Sequence, residues 1–216
     1  AHITGDFVLQ TNKIARMKSE SIEGTILHSG IVTGVQVLFL GYFGARGIAA
    51  AIMAGIAHFG IDYCKLLLNK RITKIESVYF LFDQLVHLCI IWLLSYFVLA
   101  GQELGDTAVF YIKYAVGLIT AVYIATVFAK SLVRDTFPDL KGQEFFKGYE
   151  RPLDALVSVI FWFSFTAGLP VPVVAVALVF LLYQWLQRKL FAYSTKASIV
   201  KYVGIFIFSI LASLFV

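Results

Sequence analysis

The chain has 216 residues, 60% of them hydrophobic and 14% charged, and a formal net charge of +5. Soluble domains average about 45–50% apolar and about 25% charged residues, so little of this surface can face water, and a soluble domain on a lone anchor is excluded. Nucleic acid is excluded as a partner because its binders need a solvated basic face, whereas these basic residues stand in short segments between apolar runs.

In residues 1–22, Ile3, Phe7, Ile14 and Met17 alternate with polar positions, which predicts an amphipathic or half-inserted helix. The pattern is already under way at Ala1, so residues are expected upstream. Seven apolar runs follow, at 24–43, 46–68, 77–100, 107–129, 152–168, 170–187 and 199–216. A bilayer crossing needs about 20 residues, and only helices or closed barrels satisfy the backbone in lipid. Period-2 alternation is absent, so the predicted fold is an all-α polytopic transmembrane bundle of about seven spans, one membrane domain over 1–216. The fifth and sixth runs are short and share Gly168-Leu-Pro-Val-Pro172, predicting a helical hairpin. Residues 135–151 form the one long polar loop, broken by Pro138 and Gly142.

Of 18 Lys and Arg, a cytoplasmic N-terminal segment leaves only Arg46 and Lys113 outside, hence 16 inside. This predicts the orientation, with the basic loops meeting anionic lipid. Small residues Ala50, Ala51, Ala54, Gly55 and Ala57 predict a central second span. Cys64 and Cys89 read as core, and Tyr42, Tyr79, Tyr149 and Tyr193 as interface belts. The last run either closes the bundle or packs on another copy, so an oligomer stays among the alternatives.

All four histidines lie in the first 87 residues, and three have an aspartate four positions away: His2 with Asp6, His58 with Asp62, and His87 with Asp83. Positions i and i+4 share a helix face, so each pair points two metal- or proton-competent groups the same way. His28, His58 with Asp62, and Asp83 with His87 fall in the cytoplasmic halves of the first three spans, close enough in depth to converge, and His2 with Asp6 joins them if the N-terminal helix folds back into the bundle. Ionisable residues in lipid cost at least about 2.5–3.5 kcal/mol each on insertion scales, so they pair and mark function. Imidazole with carboxylate suits Zn, Mn or Fe. The set His2, Asp6, His28, His58, Asp62, Asp83 and His87 exceeds one tetrahedral ion, which leaves room for one or two. Lys65 beside Asp62, Gln10 and Lys13 after Asp6, and Arg151 at the fifth span form a polar rim suited to a phosphate-bearing or lipid-linked substrate. Glu150 and Asp154 stand one turn apart on that span. No Walker loop, G-x-G-x-x-G, G-x-S-x-G or H-E-x-x-H occurs.

His2-x3-Asp6-Phe7-x2-Gln10, His58-Phe59-x2-Asp62-x2-Lys65 and Asp83-Gln84-x2-His87 resemble the motifs of an uncharacterised bacterial integral-membrane family, most closely over about residues 1–90. Gly148-Tyr-Glu150-Arg151 is similar to that family's Gly-x2-Glu-Arg region with one residue fewer. The pattern is also similar to small metal-dependent hydrolases of bacterial inner membranes, and the likeness implies that location. The resulting expectation is a divalent-metal hydrolase acting from the cytoplasmic leaflet. In it Asp62 or Asp83 serves as general base and Lys65 holds the anion. A proton or divalent-metal transporter and a non-catalytic membrane subunit or lipid-binding scaffold are the alternatives.

Overall fold

The computed structural model describes residues 1–68, 75–141, 144–168, 173–214 and 216. Among the described residues every regular element is helical. They divide into two compact units: residues 1–74 with 81–104, and residues 75–80 with 105–216. Four helical stretches are long and apolar enough to cross a membrane: Ile22–Leu68, Glu76–Val98, Asp106–Thr136 and Thr195–Ser213.

The N-terminal segment is two pieces rather than the one amphipathic helix expected. A π-helical turn, Thr4–Val8, precedes α1, Asn12–Glu20. The break has a local cause: the Thr11 side chain accepts from Ile14 N at 3.3 Å and starts α1 afresh. One face of α1 carries Ile14, Met17 and Lys18 and is half-buried, while Lys13, Arg16, Ser19 and Glu20 are exposed.

Ser21 caps α2, Ile22–Leu40, by accepting from Gly24 N at 3.0 Å. A Cβ on Gly24 would lie 2.2 Å from the Met17 carbonyl, so α1 and α2 touch backbone to backbone. The stretch Ile22–Leu68 would be about 70 Å long if straight, at 1.5 Å per residue. Instead it turns at Gly41–Phe43 and Gly44, whose φ of 64° a side chain would resist, into α3, Gly44–Leu68. α3 packs on α2 through the small residues: Ala50, Ala51, Ala54 and Gly55 are buried, and a Cβ on Gly55 would meet Thr33 Oγ1 at 2.0 Å. The small residues that predicted a central span are thus the surface by which this helix meets α2. α4, Glu76–Val98, completes the unit from residue 81 onward.

In the second unit α5, Asp106–Ile119, runs through a π turn, Thr120–Ile124, into α6, Ala125–Thr136. Ser158 Oγ donates to Ala121 O inside that turn, at 2.7 Å. α7, Glu150–Thr166, α8, Val173–Phe191, and α9, Thr195–Ser213, share with α6 a core of Ala129, Phe161, Tyr183, Tyr202 and Ile205. The fifth expected run corresponds to α7, whose 17 residues are at the lower limit for a crossing. Pro138–Leu140 forms a short 3-10 turn in the polar loop.

Several expectations fall outside the described residues: Gly142, the hairpin turn at 169–172, and the basic residues Lys70, Arg71 and Lys74. Two others are corrected. Cys64 and Cys89 are exposed rather than core, because the outward face of a lipid-facing helix is itself apolar. Tyr193 is 4% exposed and hydrogen-bonded to Glu150, so it is no belt residue.

Candidate metal centre

The first unit gathers all four histidines. His58 and Asp62 sit one turn apart on α3, as do Asp83 and His87 on α4, and His28 reaches them from α2. Asp6 comes from the π turn and His2 from just ahead of it, and Gly5 of that turn lies so close to α2 that a Cβ would meet Val32 Cα at 2.9 Å. The rings of His2 and His87 stack at 5.0 Å between centroids, His58 and His87 stand 4.5 Å apart, and His28 and His58 5.2 Å apart. All four residues are buried.

Three sets offer one ligand atom per residue with all atoms within 4.8 Å of one another: His2, His58 and His87; Asp6, His28 and His58; and Asp62, Asp83 and His87. Hydrogen bonding fixes which imidazole nitrogens are available. Asp83 O lies 2.9 Å from His87 Nδ1 and, as a carbonyl, can only accept. His87 Nδ1 therefore carries the proton, and Nε2 of the neutral ring presents a lone pair. That Nε2 is buried without a partner, as are His2 Nε2, His58 Nδ1 and His28 Nδ1. An unpartnered buried polar group costs about 1–3 kcal/mol, and four imidazole nitrogens in one cluster share this condition. Burial pushes the His2 imidazole down to about 3 against the pull of Asp6, so its lone pair is free at neutral pH. Burial would raise Asp6, but the Lys18 ammonium and the His28 hydrogen bond hold its carboxyl well below the usual range. Nitrogen and carboxylate donors of this kind fit Zn, Mn or Fe.

Two lysines enter the cluster. Lys65 Nζ lies 2.6 Å from Asp62 Oδ1 and 2.8 Å from Asp83 Oδ1. Lys18 Nζ lies 3.1 Å from His28 Nε2 and 3.4 Å from both Asp6 Oδ1 and Asp62 Oδ2. Against Asp6, Asp62 and Asp83 the formal sum is −3 + 2 = −1, which a cation would offset.

The expected ligand set is thus brought together whole, with Lys65 beside it. Lys13 is exposed, and Gln10 is half-buried with its Oε1 unpartnered. Arg151 is in the second unit, its guanidinium 4.9 Å from the Tyr123 ring and 5.5 Å from that of Phe146. Lys18 was missed by sequence reasoning. Its signal was present: a lysine four residues after Ile14 and one after Met17 stands on the apolar stripe of α1.

Residues 1–119 match the model of a family described as "Protein of unknown function (DUF3307)". No curated protein and no solved structure matches the chain.

Proposed function

We propose that this chain, which belongs to the DUF3307 family, is a membrane-embedded metal-dependent hydrolase of a phosphate-containing or lipid-linked substrate. The observation that carries the reading is the convergence of His2, His58 and His87, each with a buried imidazole nitrogen that has no partner. A divalent ion held there, Zn or Mn, would act as a Lewis acid and lower the pKa of a water.

The remaining steps belong to the chain. Asp83 is the most exposed of the three aspartates and stands at hydrogen-bond distance from Lys65, so it takes the proton from an incoming water as general base. Asp62 is tied to His58 at 3.2 Å and to Lys65, and it orients both. Lys65, whose side chain is 22% exposed, reaches out to hold the substrate anion. Lys13 and Gln10 are proposed as further groups for that anion. The reading includes seven crossings of a bacterial inner membrane with the N-terminal segment cytoplasmic. The 16-to-2 division of Lys and Arg supports it.

Elemental mass spectrometry of detergent-purified protein tests the metal. One or two equivalents of Zn, Mn or Fe are expected in the parent and none in a folded Asp62→Asn/His87→Ala variant. No metal in the parent, even after reconstitution with added ions, overturns the reading. With metal present, release of inorganic phosphate from phosphorylated lipids tests the reaction.

A further inference from the structure

The donor atoms of the cluster are not equally free. Around His2, His58 and His87 the available nitrogens have no partner. At the atoms that Asp6, His28 and Asp62 turn toward one another the places are already taken: His28 Nε2 faces Asp6 Oδ1 at 2.9 Å, and Lys18 Nζ stands within 3.4 Å of both and of Asp62 Oδ2, while His28 Nδ1 alone has no partner. The contacts of Lys18 with Asp6 and Asp62, both 3.4 Å, are ion-pair lengths, and they come from a group that already carries a positive charge. Zinc would take such oxygens and nitrogens at about 2.0–2.2 Å. An ammonium and a dication cannot both hold one small set of donors, since like charges in a site of low polarity repel strongly. The lysine is also held in place. α1 lies against α2 with backbones touching at Met17 and Gly24, one residue from Lys18, and Thr25 Oγ1 donates to Lys18 O at 3.1 Å.

We infer that Lys18 is a built-in second cation: the centre holds one divalent ion, at His2, His58 and His87, and the Lys18 ammonium fills the position at Asp6, His28 and Asp62 that a second ion would otherwise take. This rests on the metal reading and narrows it. Where two-metal hydrolases place a second ion to face the substrate anion, this protein places an ammonium. Lys18 and Lys65 then flank Asp62 from its two oxygens, Oδ2 and Oδ1.

The test is titration of the metal-free, full-length protein in detergent with Mn2+ alone, followed by electron paramagnetic resonance. The parent is expected to bind one equivalent with an uncoupled six-line spectrum, and Lys18→Arg the same. Lys18→Met and Lys18→Gln are expected to bind two, with the exchange-coupled spectrum of a neighbouring pair. Gln keeps a donor toward Asp6 and Asp62 should Met fail to fold. Reductive methylation of the parent needs no substitution: Lys18 stays protected when one equivalent is bound. One equivalent in every variant, two in the parent, or methylation of Lys18 on loading overturns this inference and leaves the metal reading standing. No binding in any variant overturns both.

Discussion

Each unit holds a buried charge cluster made of lysines and acids, and the two are completed differently. In the second unit Glu150 Oε1 receives Lys201 at 2.5 Å, Tyr193 OH at 2.6 Å and Lys130 at 2.9 Å. Asp154 receives Tyr183 OH at 2.8 Å on Oδ1 and Lys201 at 2.6 Å on Oδ2. Two carboxylates meet two ammoniums, and the formal charge is zero. Glu150, Asp154 and Lys201 are all 0% exposed. In the first unit three carboxylates meet two ammoniums, and four imidazole nitrogens are left over. A cluster whose charges cancel serves to hold helices together. One that is short of a cation, with lone pairs to spare, is what the proposed ion would complete.

That contrast can be broken by substitution. Lys201→Met leaves Glu150 and Asp154 facing each other without Lys201, and it should cost about 3–5 kcal/mol, the usual effect of stripping one partner from a buried pair. Thermal unfolding in detergent reads it, and added metal should not restore the loss. A Lys201→Met/Glu150→Gln double variant should lose less than the sum of the two single changes.

Acid probes the same cluster with a smaller effect. Burial pushes the Glu150 carboxyl up, but Lys201 and its hydrogen-bond partners bring it down to about 2, from an ordinary 4.5. A carboxyl depressed in the folded state adds stability above its unfolded value and loses it as pH falls through the folded one. The contribution of Glu150 should therefore be flat above about pH 5 and disappear between 4.5 and about 2. Glu150→Gln should remove that part of the pH profile.

For the first unit the sharper test is loading. An ion at about 100 times its Kd stabilises the protein that binds it by about 2.7 kcal/mol. That gain should appear in the parent and vanish in His2→Ala/His87→Ala. The same pair of substitutions forfeits one hydrogen bond, His87 Nδ1 to Asp83 O, and strips no carboxylate of its lysine, so it should cost the chelated protein less than Lys201→Met costs. If it costs more, the histidines are structural and the contrast fails. The smallest effect, about 1–3 kcal/mol of overpacking, is expected from Gly24→Ala, whose methyl would meet Met17 O at 2.2 Å. Because it displaces α1, it should also disturb Lys18, and unfolding and Mn2+ stoichiometry together show whether it does.

The histidine cluster was largely legible in the sequence. Helical spacing paired His58 with Asp62 and His87 with Asp83, and depth placed His28 among them, because membrane helices fix height by counting residues. Lys18 showed only as a lysine on the apolar stripe of α1, and its reach to Asp6, His28 and Asp62 depends on the tertiary contact of α1 with α2. Lys130 and Lys201 were hidden for a related reason. Near span ends they count toward topology, yet they are 2% and 0% exposed and bind Glu150. Only the one-turn spacing of Glu150 and Asp154 hinted that acids waited for them. Arg151 stood between those acids in sequence, but helix geometry turned it toward Tyr123 and Phe146.

The π turn at Thr120–Ile124 carries one residue more than the α-helical path needs. Chain length is usually unforgiving inside a helix, because losing one residue rotates everything beyond it by about 100°. Here the surplus is confined to five residues, so removing one of them lets the turn relax to ordinary α-helix while Asp106–Ile119 and Ala125–Thr136 keep their faces. The Ser158 bond to Ala121 O marks where such a deletion would be felt. In this helix a change of length is a local edit rather than a reorientation.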